Sequence, residues 1–201
     1  MADPIHVKGF VQAIVIPDFT LGRYIENDKC MPCDVYKGAP IFAELRHAFF
    51  DKNSDGSYVS PDYRQSVLDT RNRGEWASTF LRNGREAVVL PEKVYKDEIT
   101  GLWIAKGGRV LRVELPPDGW TLEYDKPTGF PSRTGSKEEA EKVFGDDRSS
   151  FYANRNGLRA VHRFHDWSIR DSGPFDVDAN YEPDGRNSNV GVRSASRSEQ
   201  L

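Results

Sequence analysis

Cysteine is nearly missing from this chain: Cys30 and Cys33, in KCMPCD, are the only two. A lone CxxC lacks the second pair that completes a tetrahedral zinc site, and it stands outside any βαβ pattern of a thioredoxin-like redox motif. The two thiols therefore read as part of a turn after the first strand, and so few cysteines leave the redox compartment open. No apolar run reaches the ~18 residues of a membrane-spanning helix, so no membrane span is expected. The opening MADPIHVKGFVQAIVIPDF has neither the basic start nor the apolar middle of a signal peptide; it reads as a first strand, in a chain that is cytoplasmic or held at a surface through a partner. A large charge of one sign is absent as well. The formal net charge of −3 gives no electrostatic reason to expect nucleic acid or an anionic membrane as partner. GxGxxG, P-loop and GxSxG patterns do not occur, which removes the sequence arguments for a nucleotide site and for a serine nucleophile; no enzymatic activity is expected.

What is present reads as one α+β domain over residues 1–201, with no internal repeat and no low-complexity linker. VKGFVQAIVIP alternates as a strand does. IFAELRHAFF places Ile41, Leu45 and Phe49 on one helical face, and SVLDTRNRGEWASTFL is expected to be a second helix with Trp76 and Phe80 sharing a face. From Glu86 onward the runs EAVVLPEKVY, LWIAKGGRVLRVEL and GWTLEYD are strand-like, with a hairpin expected at Gly107-Gly108. SKEEAEKVFG is a helix opened by a Ser136–Glu139 capping box and stopped by Gly145. A further hairpin is expected around Asn156-Gly157, and FDVDANYEP alternates with a period of two.

Two groups of side chains could bind metal. DKNSDGSYVSPD resembles an EF-hand loop, with Asp51, Asn53, Asp55 and Asp62 at the ligand positions and Gly56 at the sharp turn, so Ca²⁺ is the candidate ion. The alternative is a polar turn between helices. His162 and His165 could hold a metal or act as a base, but three residues apart on a strand they face opposite ways. A metal-dependent enzyme using Asp51 and Asp55 or His162 and His165, and a calcium-stabilised structural protein, are the two competing classes.

The C-terminal stretch RFHDWSIRDSGPFDVDANYEPDGRNSNVGVR, residues 163–193, is dense in aromatic and short polar side chains. Every lysine in the chain lies at or before Lys142, and residues 158–181 contain no Lys, Glu, Gln or Met, although Arg, Asp, Ser, His, Phe, Ile, Asn and Tyr all appear. Solubility does not require this, since Lys and Glu are the ordinary surface charges. RFHDW at Arg163–Trp167 resembles the RGGSW element, and PDGRNSNVGVR the PxNRNNNxGFR ending, of the variable proteins of diversity-generating retroelements. Phe164-His165 stand where that element has its glycine pair, and Val192 where the ending has an aromatic.

The resemblance implies a C-type lectin-like fold of the formylglycine-generating-enzyme type, made of short antiparallel strands with a few helices. It also implies that template adenines are randomised during reverse transcription, so that asparagine codons become a set of residues omitting Lys, Glu, Gln, Met and Trp. Residues 158–193 would then be the variable ligand-binding region. Arg163, Trp167, Pro183, Gly191 and Arg193 would be scaffold. Phe164, His165, Asp166, Ser168, Asp176, Asp178, Asn180, Tyr181, Asn187, Ser188 and Asn189 would be contact positions for a variable target, expected to be a protein. Along FDVDANYE, Phe175, Val177, Ala179 and Tyr181 are expected to share one face, with Asp176, Asp178, Asn180 and Glu182 on the other.

Overall fold

The computed structural model describes residues 4–11, 15–25, 30–69, 74–165 and 172–198. Four short strands open the chain: β1 (Ile5–Val7), β2 (Phe10–Val11), β3 (Val15–Ile16) and β4 (Phe19–Leu21). Helices α1 (Pro32–Val35), α2 (Phe42–Phe50) and α3 (Pro61–Leu68) follow. Next come β5 (Gly74–Arg82), β6 (Glu86–Val89), β7 (Lys93–Lys96), β8 (Trp103–Lys106), β9 (Arg109–Arg112), β10 (Gly119–Tyr124) and β11 (Pro131–Gly135). Helix α4 (Lys137–Phe144) separates these from β12 (Ser150–Ala153), β13 (Leu158–Phe164), β14 (Asp176–Ala179) and β15 (Ala195–Arg197). The fold is mixed α+β, and no helix among the described residues is long and apolar enough to cross a membrane.

The frame is an eight-stranded sheet in the order β11-β10-β12-β14-β13-β5-β6-β9. Its neighbours are antiparallel except β12 and β14, which run parallel. A three-stranded sheet, β1-β4-β15, pairs the two ends of the chain on β4.

Side chains alternate across a strand, so the central β5 buries two sets. Ala77 and Leu81 join Val161 and Val177 in the larger core, with Phe42, Leu45 and Phe49 of α2. Trp76 and Phe80 join Val88, Leu158, Ala160 and Ala105 in a second cluster on the other face, which Val94 and Trp103 of the β7–β8 hairpin border. Helix α2 is tied down at its start: the Phe42 N–H donates to Thr79 Oγ1 (3.0 Å) and the Ile41 N–H to Glu44 Oε2 (2.9 Å). Buried Glu44 also pairs with Arg197 of β15 at 2.7 Å, linking helix to C-terminus. In α4 the Ser136–Glu139 capping box forms in both directions, at 2.8 and 3.2 Å.

Four sequence expectations are corrected. The segment around Trp76 and Phe80 is strand β5, not a helix. A spacing of four residues is even, so a strand puts the two rings on one face just as a helix does. Gly107-Gly108, both with positive φ, does turn the chain, but β8 pairs with β7 and β9 with β6, so it passes between sheets rather than closing a hairpin. The Asn156-Gly157 turn closes no hairpin either, because β14 is inserted between β12 and β13. Finally, the described part of VKGFVQAIVIP is broken into the end of β1, β2 and β3, of which the last two pair with each other.

Candidate functional site

Glu75 of β5 is wholly buried (0 % exposed) and lies directly across from Arg163 of β13 in the strand register. Arg163 Nε donates to Glu75 Oε2 (3.1 Å), Arg193 Nε donates to Oε1 (2.6 Å), and the Tyr63 hydroxyl of α3 donates to Oε2 (2.7 Å). Burial alone would push the Glu75 carboxyl up; the charges of Arg163 and Arg193, together with these hydrogen bonds, outweigh it and hold the group down at about 2. The same pairing raises Arg163 against its burial, so both stay ionised. Arg193 reaches further, donating through Nη1 to the Gly22 carbonyl (3.0 Å) and through Nη2 to Ser66 Oγ, with the Tyr24 and Tyr63 rings 5.5 and 5.6 Å from its guanidinium carbon.

The chain beside Arg193 is fixed by its backbone. Gly191 exchanges hydrogen bonds with β5: the Trp76 N–H donates to its carbonyl (3.0 Å) and its own N–H donates to the Gly74 carbonyl (2.9 Å). A Cβ there would collide with the Ile25 carbonyl oxygen and lie 2.6 Å from the Tyr24 ring. Val192 exchanges hydrogen bonds with Ile25, and buried Pro183 accepts the Cys33 N–H at 2.9 Å. Arg163, Pro183, Gly191 and Arg193 are therefore all held by the frame. Trp167, with Asp166 and Ser168, lies outside the described residues.

Between these anchors the expected contact residues divide. Asn180 and Ser188 are exposed; Phe164, Asp178, Tyr181, Asn187 and Asn189 are half-buried. Asn187 braces the turn, donating through Nδ2 to the Tyr181 hydroxyl (3.2 Å) and accepting the Asn189 N–H (3.0 Å). Tyr181 packs on Trp76 and His162 at centroid distances of 5.8 and 5.5 Å. His165 and Asp176, expected on the displayed face, are buried. Asp176 follows the alternation but sits at the strand's start, where its carboxylate accepts from the Ser150 N–H (2.6 Å) and the Ser172 hydroxyl (2.6 Å). Burial pushes this carboxyl up to about 6 against those donors. Phe175, Val177 and Ala179 are fully buried in the larger core, as the period-two reading has it, but Tyr181, expected on the same face, packs against the second cluster instead, beyond the end of β14.

His162 is buried in the second cluster, its Nδ1 3.2 Å from the Arg163 carbonyl and its ring edge-on to Trp76 at 4.5 Å. Burial lowers its proton affinity below the ordinary histidine value. In the EF-hand-like loop, Asp51 accepts from Arg46 Nη2 (2.6 Å) and pairs with His47 Nδ1 (2.7 Å), and Asp55 caps the Ser57 N–H (2.9 Å). Asn53 donates to Ser57 Oγ (3.0 Å), and Asp62 stands in the first turn of α3. Among the described residues no three His, Cys, Asp or Glu side chains are grouped to hold a metal ion. Cys30 is buried, and Cys33 lies in the short helix α1 rather than in a turn, its thiol pushed up to about 11 by burial and by the charges of Asp34 and Asp184.

The residue missed in the sequence is Glu75. Its signal is there once GEWASTFL is taken as a buried strand, because it is then the lone charge in an otherwise uncharged run. No protein-family model, curated protein or solved structure matches the chain.

Proposed function

We propose that this chain is a binding protein rather than an enzyme, with a C-terminal surface diversified by a retroelement and carried on a C-type lectin-like scaffold. The meeting of Arg163 and Arg193 on Glu75 carries this reading. The two arginines belong to the two motifs that bracket the segment, and one buried carboxylate holds both. A segment closed at both ends on a fixed charge cluster can change its exposed side chains without loosening the frame. Tyr181 and Phe164 would supply contact area, while Asn180, Ser188 and Asn189 would supply adaptable hydrogen bonds, the division of labour found in antibody paratopes. The target is a variable ligand, expected to be a protein.

The DNA flanking the gene tests the reading directly. It should contain a near-copy of the codons for residues 160–193, differing at adenines and close to a reverse-transcriptase gene. A flank with neither feature overturns the proposal.

A further inference from the structure

A concave pocket of about 840 Å³ opens where the β5–β6 turn, the end of β9 and the β12–β13 connection meet, lined by Arg82, Arg85, Arg112 and Arg155 with Glu86 and Asn156. The strand register builds it. Arg82 pairs with Glu86, and Glu86 with Arg112, so these three stand in one cross-strand row on one sheet face. The tight turn between the strands is locked to the opposite wall: the Asn83 N–H donates to the Gly157 carbonyl (2.8 Å) and the Gly157 N–H to Asn83 Oδ1 (3.1 Å). The walls of the pocket are thus set before anything binds.

Its charges are unequally compensated. Arg82 Nε is 2.7 Å from Glu86 Oε2. Arg155 Nη1 is 3.0 Å from Asp118 Oδ1, and Nη2 donates to the Pro116 carbonyl at 2.6 Å, which fixes its guanidinium plane. Arg85 and Arg112 are exposed, and among the described residues neither makes an ion pair or a side-chain hydrogen bond. Two guanidiniums without an ion pair therefore line this one concavity. Guanidinium groups recognise planar or tetrahedral oxyanions through paired N–H donors, and two of them match a dianion. The volume lies in the small-molecule range of roughly 300–1,000 Å³, larger than a bare ion fills.

We propose that this pocket binds a small molecule through a phosphate or sulfate group held between Arg85 and Arg112. The site is separate from the displayed residues of the 163–193 segment, and its existence does not depend on the diversification reading.

The test is calorimetric titration of the full chain with inorganic phosphate and with inorganic sulfate, ionic strength being held constant with chloride. Saturable binding of one or both is expected, weakening as chloride is raised. The Arg85→Ala/Arg112→Ala double variant should bind at least ~10-fold more weakly with its melting temperature kept, since both side chains are exposed. An Arg133→Ala control, which removes an exposed arginine paired with Glu123 elsewhere, should bind as the parent does. A preference for one ion assigns the group. No saturable binding, an equal loss in the Arg133→Ala control, or binding of only a long polyanion such as heparin or duplex DNA overturns the proposal.

Discussion

Arg193 Nε lies 2.6 Å from Glu75 Oε1, and both side chains are buried to within a few per cent. Since Arg163 holds the other carboxylate oxygen, one acidic group on the central strand ties the start and the end of the 163–193 segment together. Two cations and one anion taken out of water are favourable only when their other hydrogen-bonding groups find partners: Glu75 also accepts from the Tyr63 hydroxyl, and Arg193 also donates to the Gly22 carbonyl and to Ser66 Oγ.

Replacing Glu75 by glutamine keeps the shape but leaves two guanidiniums buried without their counter-charge. Breaking such a pair costs about 3–5 kcal/mol, a large share of a domain's stability. Urea unfolding of Glu75→Gln should show a loss of that size, and a loss below about 1 kcal/mol would mean that the cluster is not an anchor.

The two perturbed carboxyls pull stability in opposite directions with pH. Asp176, at about 6 when folded against an ordinary 3.8, binds its proton more tightly in the native state, so it adds stability as pH falls from 7 toward 4. Glu75, at about 2 against 4.5, contributes stability above 4.5 that is lost as pH falls through 2. The free energy of urea unfolding, followed from pH 8 to 2.5, should therefore pass through a maximum at about pH 4. The rise on acidification should be smaller in Asp176→Asn by about 2–3 kcal/mol at most. Identical profiles for the two proteins would show that Asp176 is not the group responsible.

Anchors and displayed residues should respond differently to substitution. Exchanging Asn180 and Ser188 together for other small polar residues should leave the melting temperature nearly unchanged, since both are exposed. Gly191→Ala puts a methyl group into the Ile25 carbonyl and the Tyr24 ring and should cost about 3 kcal/mol. Global unfolding in the first variant, or an unperturbed melting temperature in the second, would sink the division between scaffold and display.

The sequence told most where the cause of structure is local. Ile41, Leu45 and Phe49 mark α2, and Ser136, Glu139 and Gly145 delimit α4, because periodicity and capping act within a few residues. The alternation of Phe175, Val177 and Ala179 also reads correctly, for the same reason. What pairs with what was not legible. Nothing local tells β14 to enter between β12 and β13, and nothing in the spacing of Trp76 and Phe80 separates strand from helix. Glu75 escaped notice because its partners Arg163 and Arg193 reach it only through that long-range pairing. Asp176 and His165 looked displayed because alternation assigns a face, while burial depends on what packs over its end.

The EF-hand-like loop gives the last prediction. Its first ligand position, Asp51, is already engaged: Arg46 takes its Oδ1 at 2.6 Å and His47 its Oδ2 at 2.7 Å. Burial would raise its carboxyl, but the His47 hydrogen bond and the charges of Arg46 and His47 hold it below the ordinary value. The Lys8 carbonyl, 2.8 Å from His47 Nε2, extends the chain of contacts to the N-terminal strands. To coordinate Ca²⁺, Asp51 would have to release Arg46, whose guanidinium is nearly buried, and leave that charge facing a dication. In this arrangement Asp51 holds His47, which in turn contacts the N-terminal strands through the Lys8 carbonyl. Asp51→Asn should lower the free energy of urea unfolding by about 1–3 kcal/mol equally in excess Ca²⁺ and in chelator. Saturable calcium binding in the parent, lost in Asp51→Asn together with a calcium-dependent share of stability, would restore the loop as a calcium site.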